Sequence, residues 1–513
     1  MKNIYIFFAL LGIAAFSACT NPFSGGGNGE GMITIAFDSA PVPAAFAARA
    51  VVQPEEIPSM THEITLTGSG GRTITRTIEG SGPAAISVPP GNWRVSVRAI
   101  GPRPDALDDL PNPDIFPARM VRAVGETSVE VIAGQSSPAR IGMTSVIGID
   151  SYPQLQAADE AYWGVSLRLV TDIDMPAGWT PINLAMVLDG GGHAISGLRD
   201  SLFGTIDGGT VRNLRLVNVD IDITSVGPPV PPVGALARVN ARGSTVENVS
   251  VSGSVSGVSE VGGILGRNYD TVRNVSVSGT VTGTQNTVGG VVGRNMITGD
   301  LPGIIENSTV TATVRGPTTI GGIAGGNQGT VRTSSAAGLV DATGAGISDA
   351  GGVVGNNSDT GTVENSFATA SVIGAGPSVG GVVGNNLGTV RNSFATGDVS
   401  GGNNVGGIVG QNAASGTTIE NSVALNQTVT VTATGNVGRI AGNTPGTSNN
   451  NYARDTMSLV PSRPVYSQPT GNDGEDVSAT QWHSATWWRD TANFDPAIWN
   501  LANGRLPTLR NMP

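Results

Sequence analysis

The sequence predicts an all-β protein in which a small antiparallel β-sandwich is followed by a long solenoid of stacked coils. A glycine-rich phrase recurs eight times between residues 233 and 443, and period-two apolar runs occupy residues 32–147. Glycine contributes 74 of 513 residues while aromatic residues make up only 5%, a composition typical of short strands joined by tight corners. We place the sandwich at 32–147, the solenoid at 148–455, and a linker with a Trp-rich cap at 456–513.

The charge balance excludes several partners and enzyme classes. The formal net charge is -11, so the chain would repel nucleic acid and anionic membrane surfaces. Lys2 is the only lysine, so a chain without its leader has no catalytic lysine base, Schiff base or phosphate-binding lysine. We expect no nucleic-acid partner and no cofactor; the sequence does not indicate an oligomeric state.

The N-terminus predicts export and lipid attachment. Residues 1–18 combine Lys2, a short apolar run and small residues, as in a secretory signal. The stretch Phe16-Ser17-Ala18-Cys19 resembles a bacterial lipobox, which implies lipid attachment at Cys19 and a place at the outer membrane or cell surface; the alternative is an ordinary cleaved signal. Cys19 is the only cysteine, so disulfides are excluded. Residues 19–31 then form a Gly-rich tether.

Four period-two segments predict the antiparallel strands of the sandwich: 33–37, 63–67, 93–97 and 128–132. The run from Val88 to Val97 resembles a strand of Ig-like or prealbumin-like modules of bacterial surface lipoproteins, which implies a spacer domain. An acidic, proline-rich loop at 101–117 interrupts the pattern, and we expect it to be exposed.

The repeated phrase has the form Val-Gly-Gly-Ile-Leu-Gly-Arg-Asn at 261–268, and a second phrase, Thr-Val-Glu-Asn at 245–248, alternates with it. Stacked coils bring equivalent side chains above one another, so we expect two asparagine columns whose amides hydrogen-bond along the stack. One column is Asn248, Asn274, Asn307, Asn365, Asn392 and Asn421, and the other is Asn268, Asn295, Asn327, Asn357, Asn386 and Asn412. Asn356 and Asn385 leave the register of two members of the second column open.

The residue before the first asparagine column alternates in charge. The series is Arg212, Glu247, Arg273, Glu306, Arg332, Glu364, Arg391 and Glu420. We predict one surface column of opposite charges, each between two partners, which specifies register more than stability because exposed ion pairs contribute only about 0.2–1 kcal/mol.

The start of the solenoid resembles bacterial GLUG-motif proteins. The matching residues are Asp172-Ile173-Asp174, Trp179 to Ile182, Asp189 to Leu198, and Leu202-Phe203-Gly204, and the repeated Gly-Gly phrase resembles the GLUG motif itself. The resemblance implies a right-handed parallel β-helix over about 150–513. It implies little about activity, since the motif occurs in surface, adhesin-like and protease-associated proteins.

No set of residues predicts catalysis or metal binding. Asp189 precedes three glycines and is expected to cap its own turn, and His193 is expected to satisfy a backbone carbonyl. Asp220 and Asp222, two residues apart on one strand face, are the best candidates for an acid pair. His62-Glu63 lacks the second histidine of a zinc-protease motif.

Trp482, Trp487 and Trp488 crowd the C-terminus together with Trp499, in a pattern that resembles the terminator of GLUG arrays. A solenoid needs an atypical last unit over its core, so we expect a cap. The alternative is a stacking platform for sugars built from Trp482, Trp487 and Trp488.

These observations favour a lipid-anchored surface protein whose β-helix displays surfaces for adhesion to a host or matrix protein or to a glycan. The alternatives are a glycan-active enzyme, a polysaccharide lyase or glycoside hydrolase with its site at Asp220 and Asp222, and a purely structural spacer.

Overall fold

The computed structural model describes residues 30–39, 52, 56, 59–80, 82–108, 110–159, 166–225, 227–344 and 349–513. The predicted leader, Cys19 and nearly all of the predicted tether lie outside these ranges. The described chain is almost entirely β-structure: a β-sandwich followed by a parallel β-helix, as predicted. Its helices are short, namely α1 Tyr152–Gln156, α2 Ala479–Trp482 and α3 Ala485–Asp490.

Seven strands form the sandwich. They are β1 Gly31–Ser39, β2 Thr61–Gly68, β3 Thr73–Glu79, β4 Ala84–Val88, β5 Gly91–Pro102, β6 Arg119–Val131 and β7 Ser136–Ile149. One sheet has the order β4-β1-β7 and the other the order β3-β2-β5-β6-β7. Alternate apolar side chains of both sheets, such as Ile33, Ile64 and Trp93, form a common buried core, as expected of period-two strands.

Strand β7 departs from the antiparallel prediction. It pairs parallel to β1, with Ile33 opposite Ser137. No tight turn joins these two strands, which are far apart in sequence, so no hairpin imposes an antiparallel pairing. The last residues of β7, Val146 to Ile149, pair parallel with Ser166 to Leu169 of the next strand. One strand therefore closes the sandwich and begins the β-helix.

Between residues 210 and 443 each coil of the β-helix contributes to three parallel sheets, whereas the first two coils contribute to only two of them. The wide sheet comprises β8 Ser166–Leu169, β9 Ile173–Asp174, β11 Val187–Asp189, β12 Ala194–Ser196, β14 Thr210–Ile223, β17 Thr245–Gly257, β20 Thr271–Arg273, β21 Ser276–Gly283, β26 Ile304–Glu306, β27 Thr309–Arg315, β30 Thr330–Arg332, β31 Ser335–Ala336, β32 Leu339–Ala342, β35 Thr362–Glu364, β36 Phe367–Ala368, β37 Ser371–Gly374, β40 Thr389–Arg391, β41 Phe394–Ala395, β42 Val399–Gly401, β45 Thr418–Glu420, β46 Val423–Ala424, β47 Thr428–Val431, β50 Thr447–Asn449, β51 Tyr452–Arg454, β52 Ser458–Val460 and β53 Glu475–Val477.

The asparagine sheet comprises β10 Ile182–Leu184, β13 Phe203–Ile206, β16 Ala237–Asn240, β19 Leu265–Asn268, β23 Val292–Asn295, β29 Ala324–Asn327, β34 Val354–Asn357, β39 Val383–Asn386, β44 Val409–Asn412 and β49 Ala441–Asn443. The short sheet comprises β15 Val233–Gly234, β18 Val261–Gly262, β22 Val288–Gly289, β28 Thr319–Gly321, β33 Asp349–Gly351, β38 Ser378–Gly380, β43 Asn404–Gly406 and β48 Asn436–Gly438. Two small hairpins, β24 Ile297–Thr298 with β25 Leu301–Pro302 and β54 Trp499–Asn500 with β55 Thr508–Leu509, lie outside these sheets.

The eight copies of the phrase correspond to the eight strands of the short sheet. The second glycine of the phrase is required by close approach: a Cβ on Gly263 would lie 2.3 Å from the carbonyl oxygen of Gly290 in the next coil. Ala235 takes this glycine's place in the first copy, and Arg439 takes it directly after the last strand of the sheet, where no further short-sheet strand lies above it. The weak last copy of the phrase therefore marks the end of the stack.

The interior combines apolar residues with a continuous amide ladder. Val246, Ile264 and Leu265 are fully buried. The second asparagine column is also fully buried or nearly so, and from Asn240 to Asn386 each Nδ2 donates to the asparagine Oδ1 of the next coil over 2.8–2.9 Å. The ladder uses Asn357 and Asn386, which resolves the open register, and it begins one coil earlier than predicted, at Asn240.

The first asparagine column has a different principal role. Its six predicted members have φ between 48° and 53°, a left-handed conformation that asparagine tolerates better than other side chains. Each marks the corner between two strand segments of the wide sheet. Side-chain bonds along this column are intermittent, as from Asn248 Nδ2 to Asn213 Oδ1 at 3.0 Å. The asparagines of this column therefore mainly set backbone direction.

The loop at 101–117 is exposed only in part. Its large apolar side chains are not exposed, whereas three of its aspartates are exposed as predicted, namely Asp105, Asp108 and Asp114. Leu107 and Phe116 are fully buried and join Ile149 and Leu155 in the core at the base of the β-helix. The open base of a solenoid exposes apolar side chains to water, and burial of these two residues covers them. The loop is a lower cap.

We predict that Asn327→Ala destabilises the β-helix by about 2–4 kcal/mol. The substitution removes the donor to Asn357 Oδ1 and the acceptor of Asn295 Nδ2, leaving buried polar groups short of partners. Urea unfolding measures the change. The control is Asn356→Ala, at the outward position next to Asn357 in the following coil, which should shift stability by no more than about 0.5 kcal/mol. Equal losses of stability in the two variants would contradict a structural role for the ladder.

We predict that Thr333→Asn stabilises the chain by up to about 1 kcal/mol. Thr333 stands at a corner of the first asparagine column with φ 45°, a conformation that a β-branched side chain adopts at a cost. Thermal unfolding of Thr333→Asn is to be compared with Thr330→Asn, which lies in strand β30 and should not gain stability. A fall in stability for Thr333→Asn would show that the Thr333 hydroxyl bond to Asn307 matters more than the backbone conformation.

Candidate functional site

The alternating charges form one column, as predicted. In-register pairing places Arg212, Glu247, Arg273, Glu306, Arg332, Glu364, Arg391 and Glu420 above one another on the wide sheet. The ion pairs are one-sided, however. Arg273, Arg332 and Arg391 each bond the glutamate of the preceding coil, with N···O distances of 2.5 Å. The column is therefore a set of stacked pairs.

This column has two further members at its lower end that its sequence pattern did not indicate. Arg168 and Asp189 pair in register below Arg212, so the alternation continues for two more coils. The Asp189 carboxylate accepts from Arg168 at 2.8 Å and from Arg212 at 3.2 Å. It also accepts from the backbone N–H of Gly191 at 2.9 Å, which confirms the predicted turn cap. The buried Asp189 is a structural anchor.

His193 does not bind a backbone carbonyl, contrary to the prediction. Its Nδ1 lies 3.2 Å from Asp172 Oδ1, and its Nε2 lies 3.4 Å from a guanidinium nitrogen of Arg98 in the sandwich. A backbone hydrogen bond from Ala194, together with the contact to His193, lowers the pKa of Asp172 below its usual value. Because the sequence separates Arg98 from His193, only the docking of the sandwich on the β-helix brings these groups together.

Asp220 and Asp222 lie on one face of strand β14, as their spacing predicts, but each is engaged locally. Asp220 bonds Arg199 and accepts from the Ser254 hydroxyl at 3.1 Å. Asp222 accepts from the Thr224 hydroxyl at 2.5 Å and from the Thr224 backbone N–H at 3.2 Å. The two carboxylates have separate structural partners.

Trp482, Trp487 and Trp488 belong to one aromatic cluster, with exposed fractions of 9%, 8% and 1%. The Trp488 indole N–H donates to the Trp482 carbonyl at 2.7 Å, and Trp499 is fully buried beside it. The cluster packs on outward residues of the wide sheet, including the stacked rings of Phe367 and Phe394. It covers the side of the last coils and not, as predicted, the end of the core, because it packs on outward side chains of the wide sheet. Ligand binding by the three tryptophans stays a prediction.

The upper end of the β-helix is covered by the polar stretch that the sequence predicts to be a linker. Backbone N–H groups of Ile440 and Ala441 donate to the Asn472 carbonyl, and β53 pairs with β51 as a last rung. The buried Arg439 guanidinium bonds the Asp473 and Gly474 carbonyls and the Asp476 carboxylate. Arg439 thus joins the last coil to its cap.

Asp473 is the central acid of this cap. It is buried, bonds Arg463 at 2.5 Å and accepts from the Tyr466 backbone N–H at 3.0 Å. Burial alone would raise the pKa of Asp473, but the hydrogen bonds and the Arg463 charge outweigh it and hold the pKa below its usual value.

A strip of polar side chains, which was not predicted from the sequence, follows the edge between the short sheet and the asparagine sheet. One column consists of the residue that opens each of the last four short-sheet strands, and the other of the residue seven positions later. We call these eight residues the amide strip: Asp349, Ser378, Asn404 and Asn436 with Asn356, Asn385, Gln411 and Asn443. In the sequence, the constant seven-residue spacing between the two polar residues of each of these copies could have indicated this strip.

The described ranges contain no group of three or more His, Cys, Asp or Glu side chains that could hold a metal ion. The three histidines, His62, His193 and His483, lie on separate elements, and burial lowers the pKa of His62. None of the helices in these ranges has both the length and the apolar character needed to cross a bilayer.

Comparison with known proteins supports the repeat architecture. The family model of the GLUG motif matches residues 257–282, 284–315 and 375–400. A second model, the N-terminal region of the M26 IgA1-specific metallo-endopeptidase, matches residues 183–253. Halomucin from Haloquadratum walsbyi is 33% identical over 145 residues, and the match covers 23% of this chain but only 2% of halomucin.

Two solved structures are also similar. A candidate immunoglobulin A1 protease from Bacteroides ovatus is 18% identical, with 71% of this chain and 92% of that chain covered and a TM-score of 0.30. An IgA1 protease is 12% identical, with 79% of this chain and 29% of that chain covered and a TM-score of 0.28. Together with the fold, the family matches indicate a surface or secreted β-helix protein with GLUG repeats.

We predict that Asp473→Asn lowers stability at pH 7 by about 1–3 kcal/mol, less than for a fully buried pair because Arg463 is partly exposed. A lowered folded pKa gives stability that is present above the unfolded pKa of about 3.9 and is lost as pH falls through the folded pKa. Unfolding of wild type and variant should therefore converge below about pH 4. Asp455→Asn, an exposed carboxylate nearby, is the control; a difference that persists undiminished at pH 2 would show that charge is not its origin.

Proposed function

We propose that this chain is a lipid-anchored bacterial surface protein that acts without catalysis, as an adhesion scaffold. Lipid attachment at Cys19 would hold it at the outer membrane or cell surface, and the sandwich would act as a spacer below the β-helix. Its partners would be a host or matrix protein or a glycan.

One observation carries the proposal: the core of the β-helix is filled and closed at both ends. Apolar side chains and the asparagine ladder occupy the interior, the loop with Leu107 and Phe116 covers the base, and the stretch around Asp473 covers the top. The outer walls are then the surface available to a partner. On these walls the coils repeat the same polar chemistry at about 4.8 Å intervals.

A catalytic role has less support. The candidate acid pair Asp220 and Asp222 is divided between Arg199, Ser254 and Thr224. A glycosidase needs two carboxyl groups that both face the scissile bond, one of them available as an acid. The glycan-active enzyme and the inert spacer remain as the alternatives to be separated by experiment.

The test uses purified chain from residue 20 onward on glycan arrays and matrix-protein arrays, with polysaccharide degradation assayed in parallel. We expect saturable, selective binding with no release of oligosaccharides. Turnover of a bound polysaccharide would favour the enzyme, and absence of binding to every glycan and protein on the arrays would favour the spacer.

A further inference from the structure

The amide strip differs in chemistry from the other outer surfaces of the β-helix. Six of its eight side chains are carboxamides, and seven of the eight are partly or fully exposed. Its two columns touch: Ser378 Oγ lies 3.4 Å from Gln411 Oε1, and Asn356 Nδ2 lies 3.4 Å from Asp349 Oδ2. Each coil thus adds one pair of hydrogen-bonding side chains to a continuous double row.

The hydrogen-bonding capacity of this row is only partly used within the chain. Asn436 Nδ2 donates to Asn404 Oδ1 at 2.9 Å, so these two side chains are paired along their column. Asn385 Oδ1 has no partner among the described residues but is shielded from solvent, so a ligand would meet the exposed part of the half-buried Asn385 side chain. The contacts of Asn356 and Ser378 are near the upper distance limit for a hydrogen bond. Each carboxamide offers an acceptor and two donors in one plane, which suits neighbouring hydroxyl groups that both donate and accept.

Charge narrows the class of ligand. Asp349 is the only ionisable residue of the strip, and burial raises the pKa of Asp349. Directly below the strip the equivalent positions are the uncharged Thr319 and Gly326. One and two coils further down, Arg294 and Arg267 share the single carboxylate of Glu260, so the positive charge that remains lies outside the strip. The strip offers no cation to an acidic polysaccharide, and the chain as a whole has a net charge of -11.

The composition also disfavours a protein partner at this surface. Protein interfaces depend on Trp, Tyr and Arg anchors in desolvated pockets, and the strip has none of these residues. Its four coils extend about 14 Å along the axis at about 4.8 Å per step. At the lower end of the strip, Gly326 leaves room for a ligand, since no atom lies closer than 3.8 Å to the position of an added Cβ.

We infer that the amide strip binds a neutral polysaccharide that lies along the axis of the β-helix. The inference rests on the proposed adhesion function and gives it a site and a ligand class. Hydroxyl groups of successive sugars exchange hydrogen bonds with the carboxamides of successive coils, and Asn385 and Gln411 lie at the centre of the contact.

The test measures binding of soluble glucomannan and mixed-linkage β-glucan to the chain from residue 20 onward, by affinity electrophoresis and calorimetry. Alginate and fibronectin are the acidic and protein comparators. We expect wild type to bind a neutral polysaccharide and Asn385→Ala/Gln411→Ala to bind it roughly tenfold more weakly, since the hydrogen bonds of two carboxamides are lost.

Two further variants separate binding from folding. Gln285→Ala/Gln427→Ala removes two exposed carboxamides outside the strip and should bind like wild type. Asn385→Asp keeps the side-chain shape but removes both donors, so it should weaken binding while the circular dichroism spectrum and unfolding midpoint remain those of the wild type.

The outcomes distinguish the inference from the proposed function. Equal binding of a neutral polysaccharide by wild type and Asn385→Ala/Gln411→Ala would overturn the strip as the site and leave adhesion standing. Binding of alginate or fibronectin alone would overturn the ligand class and also leave adhesion standing. If no polysaccharide or matrix protein binds, both are overturned.

Discussion

The structure depends on one constraint, the parallel in-register stacking of coils. Each coil hydrogen-bonds to the coil above through its backbone, so equivalent side chains repeat at about 4.8 Å and form columns. A side chain at a column position must fit against the side chain at the equivalent position of the next coil, whether that side chain is identical or of opposite charge. Glycine, asparagine and the alternating charges satisfy this requirement in three different ways.

The residue type differs from column to column because the columns lie in different environments. At the second glycine of the phrase there is no room for a Cβ, as the 2.3 Å approach at Gly263 to the next coil shows. Inside the core, asparagine is compatible with itself because an amide both donates and accepts, so Asn268 and its equivalents form an unbroken buried chain. On the wide sheet, where like charges would repel at every step, arginine and glutamate alternate.

A stack of coils has open ends, and its two ends are closed by unrelated means. At the base, β7 continues out of the sandwich and an acidic loop contributes Leu107 and Phe116 to the core. At the top, the chain turns over the last coil, and Arg439 and Asp473 form a buried polar network there. The tryptophan cluster lies on the side wall, so it shields that face. The remaining walls, including the amide strip, are the part of the molecule that can meet a partner.

The repeat by itself determined the architecture. The phrase at 261–268 predicts a coil, its eight copies predict the eight strands of the short sheet, and the alternation from Arg212 to Glu420 predicts one column, because in-register stacking converts sequence periodicity into position. Contacts made by the non-repeating segments have no sequence period, so they could not be predicted from the repeat. Composition alone does not show that Phe116 meets an open core, that His193 meets Arg98, or that β7 pairs parallel to β1. Only tertiary structure decided these contacts, since each depends on how one non-repeating segment docks against the completed stack.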